Sequence, residues 1–243
     1  MCVAIRASLL SICLLASAAL LQTTAASGEL AGKIKIAFIG DSLAENYWDG
    51  VARLVDEDSC LKARLEILRL SKDSTGLLRP GRYDWPSEVK RIYNRIKPQM
   101  FVLSIGTNDE GSDDKYRDSI LALLDSVKRT EAALLWIGLP VMRDRARDRD
   151  ARAKNNLFEE AITGYGERKI EFVVPWKAKG EEDKFSSYGP DRNQSMVQIR
   201  LADGVHFTFA GDLVTGAYLL PKILSRIEHD GSAICGKTEA QAK

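Results

Sequence analysis

Histidine is scarce in this chain, and neither sign of charge is in excess. Only two histidines occur among 243 residues, and 35 Lys and Arg face 34 Asp and Glu, which gives a net charge of +1. A two-metal centre usually draws on several histidines, so no metal or other cofactor is expected. The balanced charge provides no general attraction to nucleic acid or to an anionic membrane, and we expect no nucleic-acid partner.

Proline and glycine are also modest in number, at 7 and 18 residues. With 45% hydrophobic and 28% charged residues, the composition is typical of one globular domain. It excludes a disordered, collagen-like or repeat-built protein.

Acidic residues are missing from the first 26 positions, where Arg6 is the single charge. An apolar stretch follows at 7–21 and gives way to small side chains ending at Ala26. This stretch of about 15 residues is short for a membrane span of roughly 20. The pattern predicts a secretory signal peptide at 1–26, cleaved near Ala26, and one domain over 27–243 in the periplasm or outside the cell, without a stable membrane span. A signal anchor, a buried helix, or a lipoprotein box ending at Cys13 are the alternatives.

Of the four cysteines, Cys2 and Cys13 lie in the predicted signal peptide, which leaves Cys60 and Cys235. In an oxidising compartment such a pair favours a disulfide, which would tie the C-terminal tail to the first helical region. Two unrelated thiols are the alternative. Neither cysteine has a histidine nearby in sequence, which disfavours a thiol nucleophile.

Strand and helix patterns alternate along the rest of the chain. Apolar runs predict strands at 33–39, 64–70, 100–105, 132–139 and 169–175. Helical spacing predicts helices at 45–56, 87–97, 113–129, 148–165 and 208–229, with Pro221 expected to kink or break the last. The alternation predicts an α/β fold with a parallel sheet covered on both faces, whose functional residues lie at the carboxyl ends of the strands. The segments 76–86 and 177–203 are long enough to be functional loops.

Two of the predicted strands end in residues that suit acyl chemistry. Gly-Asp-Ser-Leu at 40–43 holds Ser42 in a strand-to-helix turn, where a nucleophile fits as well as a helix cap made by Ser42 or Asp41. Gly-Thr-Asn-Asp at 106–109 presents Asn108, a neutral donor that can stabilise an oxyanion or form an Asx turn.

A third candidate block is Asp-Gly-Val-His at 203–206, just before the last helix. Asp203 can hold the tautomer of His206 that leaves Nε2 free to take a proton from a serine. Taken alone, the pair is explained equally well as a surface histidine that is hydrogen-bonded to a neighbouring carboxylate. The three blocks together are much less easily explained by chance than any one of them.

The three blocks resemble the first, third and fifth blocks of the GDSL-type SGNH hydrolases, and within that family the exported bacterial subgroup. The resemblance covers about residues 33–228. The resemblance implies a flavodoxin-like three-layer αβα sandwich with a five-stranded parallel sheet in the order 2-1-3-4-5. It also implies a catalytic triad in which Ser42 is the nucleophile, His206 the general base and then acid, and Asp203 the residue that orients the histidine. The implied oxyanion hole combines the N–H of Ser42, the side chain of Asn108 and a glycine N–H. Gly76 is favoured for this glycine over Gly81 because it is closer to the strand exit.

Four further residues are predicted to contact the substrate: Asp41, Trp48, Trp85 and Arg143. For the two tryptophans, packing in the core is the alternative. Arg143 begins a run to Lys154 with five Arg, one Lys and three Asp. Such a run is usually a solvated helix face, and contact with an anionic substrate is the other interpretation.

These features predict an exported serine esterase acting on small acyl groups, with a carbohydrate O-deacetylase as the finer possibility and a small-molecule or glycan ester as substrate. An O-acyltransferase acting on a cell-envelope glycan and an inactive glycan-binding protein of the same fold are alternatives. A metallophosphoesterase using Asp41, Asn108, Asp109 and His206 is disfavoured by the two histidines. The sequence does not specify the ester or the oligomeric state.

Overall fold

A computed structural model describes residues 32–111, 114–174, 184–227 and 234–235, so the predicted signal peptide lies outside the described residues. The central sheet contains β1 (Ile34–Gly40), β2 (Leu65–Arg69), β3 (Met100–Ser104), β4 (Ala133–Ile137) and β5 (Ile170–Val173). The strands are parallel and lie in the order β2-β1-β3-β4-β5, which confirms the predicted fold class.

The helices of the described segments are α1 (Ser42–Glu57), α2 (Ser59–Arg64), α3 (Trp85–Ile96), α4 (Asp114–Lys128), α5 (Arg145–Tyr165) and α6 (Phe209–Ile227). Helix α1 packs against α6, and α3, α4 and α5 pack in series, so helices flank the sheet. A small antiparallel hairpin of β6 (Tyr188–Pro190) and β7 (Met196–Gln198) lies within the predicted long loop 177–203. Neither this hairpin nor α2 was predicted from the sequence.

The core lies on both faces of the sheet, as near-continuous apolar strands require. All five residues of β3 are buried, and so are the last five of β1. Large side chains from three strands fill the two layers: Phe38, Ile39, Phe101, Leu103, Leu134 and Trp136. This packing fixes the strand ends from which the candidate site is built.

Capping aspartates explain why α1 and α5 begin earlier than the sequence predicts. Helix α1 starts at Ser42, three residues before the predicted start, because the Asp41 side chain accepts a hydrogen bond from the N–H of Leu43. Helix α5 starts at Arg145 for the same reason, since Asp144 accepts from the N–H groups of Ala146 and Arg147. The earlier start places Ser42 in the first turn of α1.

Pro221 does not break the last helix, because α6 runs through it from Phe209 to Ile227. A proline inside a helix leaves the carbonyl four residues earlier without its N–H donor. Both Pro221 and Ala217, which carries that carbonyl, are exposed, so water can satisfy the oxygen.

Cys60 in α2 and Cys235 near the C-terminus are joined by a disulfide, with 6.0 Å between their Cα atoms. The bond ties together residues separated by 175 positions in the sequence.

Among the described helices, none is long and apolar enough to cross a membrane.

A buried carboxyl group on α6 predicts how stability depends on pH. Burial raises the pKa of Asp212 to about 7, and the neighbouring Asp49 carboxylate adds to the rise, while Asn46 and Arg53 oppose it. The ordinary pKa of an Asp is 3.8, so between pH 4 and pH 7 the folded protein holds a proton that the unfolded chain releases. Folding stability therefore falls as pH rises through this window, by at most about 1.4 kcal/mol per pH unit for one group.

Asp212→Asn is expected to remove the contribution of Asp212 to this decline and to exceed the wild type in stability at pH 8. The amide oxygen still accepts the hydrogen bond of 2.9 Å from Asn46 Nδ2, and the side chain no longer titrates. Urea denaturation at pH values from 4 to 8 measures the effect. Asp56→Asn, which replaces an exposed aspartate near the end of α1, is the control and should decline as the wild type does. An equal decline in Asp212→Asn and wild type would contradict the prediction.

Candidate active site

The exits of β1 and β3 lie side by side at one edge of the sheet, because Gly40 pairs with Ser104 in the register of these strands. Gly40 has a φ of +124°, and a Cβ atom there would lie 1.8 Å from the carbonyl oxygen of Ser104. A glycine is therefore required for the chain to turn so close to its neighbour. This turn brings Ser42 next to the 106–109 turn.

Three side chains from two distant segments form one hydrogen-bonded series. Ser42 Oγ lies 2.7 Å from His206 Nε2, and His206 Nδ1 lies 2.6 Å from Asp203 Oδ2. Ser42 and His206 are 164 positions apart in the sequence. The structure thus brings together the three residues predicted to form the triad.

The ionisation state of the Asp203 carboxyl group determines the tautomer of His206. Partial burial pushes the pKa of Asp203 up, but hydrogen bonds from His206 and from the N–H groups of Val205 and His206 outweigh it and lower the pKa to about 2. The ionised carboxylate only accepts, so Nδ1 of the histidine carries the hydrogen and donates it. Nε2 is then the acceptor for the Ser42 hydroxyl, which is the arrangement that a general base needs.

Asp41 organises the turn around Ser42 from inside the protein. Its fully buried carboxylate accepts hydrogen bonds from the N–H groups of Leu43, Gly106 and Thr107, at 3.0, 3.2 and 3.1 Å. Burial raises the pKa of Asp41 to about 6, although these hydrogen bonds oppose the rise. The side chain joins the β1 exit to the β3 exit and so fixes Ser42 relative to Asn108.

The Asn108 side chain faces the loop after β2. Asn108 Nδ2 donates to the carbonyl oxygen of Thr75 at 3.0 Å. The neighbouring Asp109 carboxylate accepts from the N–H groups of Leu77 and Leu78, at 2.8 and 3.0 Å. Gly76 therefore lies against the Asn108 turn, whereas Gly81 is exposed and has no atom within 4 Å of where its Cβ would be.

Two backbone donors remain open at this edge. Within the described parts of the chain, neither the N–H of Ser42 nor that of Gly76 has a hydrogen-bond acceptor. The side-chain amide of Asn108 has a second N–H hydrogen in addition to the one that it donates to Thr75. Open donors of this kind are the groups from which an oxyanion hole is built.

Gly76→Ala is expected to lower kcat for an ester by about 10²-fold. The added methyl would lie 2.1 Å from Asp109 Oδ1, so the loop must move away from Asn108. Steady-state kinetics measures the loss, and Gly81→Ala, which meets open space, is the control with wild-type kcat. Equal kcat values in both variants would show that the position of the Gly76 loop does not affect catalysis.

The segment that carries Asp203 and His206 is held by two arginines. Buried Arg200 donates to the carbonyls of Val141 and Val205 at 2.9 and 2.8 Å, and Arg143 donates to that of Ala202 at 2.7 Å. Sequence reasoning missed Arg200. It lies within the predicted loop 177–203, and the sequence gives no signal that this part of the loop is buried.

Burial corrects two of the predicted substrate contacts. Asp41 is 0% exposed and Trp85 is 1% exposed, so neither side chain has a surface for substrate. Asp41 instead binds backbone N–H groups, and Trp85 Nε1 donates to Thr75 Oγ1 at 3.1 Å in the loop that carries Gly76. Both residues support the site from the protein interior.

The other two predicted contacts have structural partners as well. Trp48 is half-buried and donates from Nε1 to the carbonyl of Ile67 in β2 at 3.3 Å. The exposed Arg143 also donates to Ser187 Oγ at 3.0 Å. Contact of Trp48 or Arg143 with substrate stays a prediction.

Solved structures of two esterases and a GDSL-like lipase share this fold. A carbohydrate esterase family 3 protein from Talaromyces cellulolyticus matches with a TM-score of 0.60 and 14% identity, over 79% of this chain and 97% of its own. A catalytic mutant of an acetylxylan esterase from Geobacillus stearothermophilus matches with a TM-score of 0.57 and 14% identity, over 86% and 98%. A GDSL-like lipase from Bacteroides thetaiotaomicron matches with 0.52 and 15%, over 80% and 89%.

The chain belongs to the family described as "Protein of unknown function (DUF459)", whose model matches residues 35–222. That range includes β1 through most of α6, and with them all three blocks of the site. No curated protein sequence matches this chain. The three solved structures share under 25% identity with it, so they establish its fold.

Proposed function

We propose that this protein is a serine esterase that removes small acyl groups from alcohols. The observation that carries the proposal is the series from Ser42 Oγ through His206 to Asp203, with 2.7 Å and 2.6 Å between the paired atoms. A serine hydroxyl is a weak nucleophile unless a base lies within hydrogen-bond reach, and that base must be held in the correct tautomer. Both conditions are met at this site.

The proposed reaction has two halves. In the first, Ser42 Oγ attacks the ester carbonyl carbon while its proton passes to His206 Nε2. The resulting oxyanion is bound by the N–H groups of Ser42 and Gly76 and by the Asn108 amide. The C–O bond to the alcohol then breaks, and the alcohol leaves with the proton from His206.

In the second half, water replaces the alcohol. His206 Nε2 takes a proton from the water, whose oxygen attacks the acyl carbon bound to Ser42 Oγ. The second tetrahedral intermediate uses the same donors, and its collapse releases the carboxylic acid and returns the proton to Ser42 Oγ. Asp203 stays ionised throughout and stabilises the imidazolium that forms twice.

The finer proposal is that the substrate is an acetylated or similarly small-acyl carbohydrate met outside the cytoplasm. Support comes from the descriptions of two structures of this fold, a carbohydrate esterase and an acetylxylan esterase. The acid-free, apolar N-terminal segment and the disulfide between Cys60 and Cys235 support export.

An ester panel tests the proposal. Purified protein from residue 27 onward is incubated with short- and long-chain nitrophenyl esters and with acetylated glycans, and the released acid and any acylated acceptor are measured. We expect release of acetate and a steep loss of rate as the acyl chain lengthens. Acyl transfer to an added sugar in place of acid release would instead favour the acyltransferase. Absence of both reactions with every ester would contradict the proposed function.

A further inference from the structure

Lys154 departs from the other charges of its run, because its side chain has no exposed surface. It lies on the inner stripe of α5 together with Ala151, Phe158, Ala161 and Ile162. Burial of an ammonium group costs much free energy unless every donor finds a partner. The partners of Lys154 therefore indicate why a lysine occupies this place.

All three donors of the ammonium group are used. Lys154 Nζ donates to the carbonyl oxygens of Gly106 and Asp109 at 2.9 and 2.5 Å, and to Asp150 Oδ2 at 2.6 Å. The two carbonyls belong to the first and last residues of the turn that carries Asn108. Asp150 lies one helical turn before Lys154 and balances its charge.

The Asn108 turn is thus held from two sides. Lys154 binds its carbonyl oxygens from α5, and Asp41 binds the N–H groups of Gly106 and Thr107 from the β1 exit. Without the lysine, the buried carbonyl oxygen of Asp109 would lose its donor and that of Gly106 would keep only the N–H of Asp109, at 3.3 Å, so the turn would shift to find other donors. Such a shift moves the Asn108 amide away from the point where the oxyanion forms.

We infer that Lys154 is a positioning residue for the oxyanion hole, acting through Asn108. The inference rests on the proposed function for its kinetic consequence. Because the oxyanion exists only in the transition state and the intermediates, misplacement of Asn108 lowers kcat and leaves ground-state binding of the ester nearly unchanged.

Lys154→Met, which keeps the length of the side chain and removes its donors, tests the inference. We expect kcat to fall by about 10–100-fold with KM within about 3-fold of wild type. Lys169→Met is the matched control, since Lys169 Nζ also donates to two backbone carbonyls, those of Lys128 and Thr130, but at the C-terminal end of α4 and away from the site. It should lose stability and keep wild-type kcat. A loss of kcat in both variants alike would overturn the inference.

A double-mutant cycle separates positioning from general destabilisation. Asn108→Ala alone should lower kcat by about 10²–10³-fold. If Lys154 acts through Asn108, adding Lys154→Met to that variant should cost less than about 3-fold more. A second full loss in the double variant would overturn the inference. Should Lys154→Met fail to fold, Lys154→Gln, which keeps an NH₂ donor on a shorter chain, should show the same pattern of lowered kcat and retained KM.

A structural measurement keeps this inference separate from the proposed function. Crystal structures of wild type and Lys154→Met are expected to show the contact of 3.0 Å between Asn108 Nδ2 and Thr75 O only in the wild type. If the wild type hydrolyses no ester, the proposed function fails, and this comparison still tests the role of Lys154. An unchanged turn in the variant would overturn the role whatever the activity.

Discussion

Ser42→Ala is expected to abolish turnover of a chromogenic short-chain ester, with kcat reduced by about 10⁴–10⁶-fold. The variant removes the oxygen that forms the acyl-enzyme, while Asp41 still caps α1 through the N–H of Leu43 and keeps the turn in place. Residual hydrolysis would come from the oxyanion donors alone. Steady-state assays at high enzyme concentration measure the remaining rate.

Ser59→Ala provides a closely matched control for this variant. Ser59 also occupies the first position of a helix after a capping aspartate, since Asp58 accepts from the N–H groups of Cys60 and Leu61. Its hydroxyl has no histidine partner among the described residues, so kcat should stay at the wild-type value. Full activity in Ser42→Ala would end the assignment of the nucleophile.

Asp203→Asn is expected to lower kcat by about 10⁴-fold with the fold intact. The amide oxygen can still accept the backbone hydrogen bonds from Val205 and His206, now at 2.8 and 3.0 Å. The amide NH₂ then faces His206 Nδ1 and donates to it, so the ring hydrogen moves to Nε2. In this tautomer Nε2 no longer accepts the Ser42 proton.

The Asp191→Asn variant separates this effect from a change in turn geometry. Asp191 Oδ1 accepts from the N–H groups of Asn193 and Ser195 in the β6–β7 hairpin, in the same way that Asp203 accepts from its own turn. The turn at 191–195 contains no histidine, so kcat should be unchanged. The two variants should have similar thermal unfolding temperatures. A large decrease in the folded fraction of Asp203→Asn would contradict the tautomer explanation.

The parts of the fold that the sequence predicted are those fixed by local patterns. Apolar runs such as 100–105 are short and bounded by glycine, which favours a buried strand, and their alternation with helices leaves few topologies. The strand order followed from a family resemblance rather than from the runs themselves. Pro221 does not break α6, and the sequence pattern does not show this because it does not indicate whether the freed carbonyl faces water.

The sequence indicated where the candidate site lies, because Ser42, Asn108 and His206 each follow a strand or precede a helix at the expected edge. The supporting residues could not, since their roles depend on burial. Asp41 and Trp85 have side chains suited to substrate contact, and only packing shows that they face inward. Lys154 belongs to the charged run 143–154, and the sequence pattern does not show that its side chain is buried.

The central claim is that Ser42 is an activated nucleophile, and reaction with a fluorophosphonate probe tests it most directly. Intact-mass measurement with peptide mapping should find one probe per chain, attached to Ser42, with no labelling of Ser42→Ala and slowed labelling of Asp203→Asn. A wild-type protein that stays unlabelled under conditions that label a known serine esterase, or that carries the probe on another residue, would contradict the account.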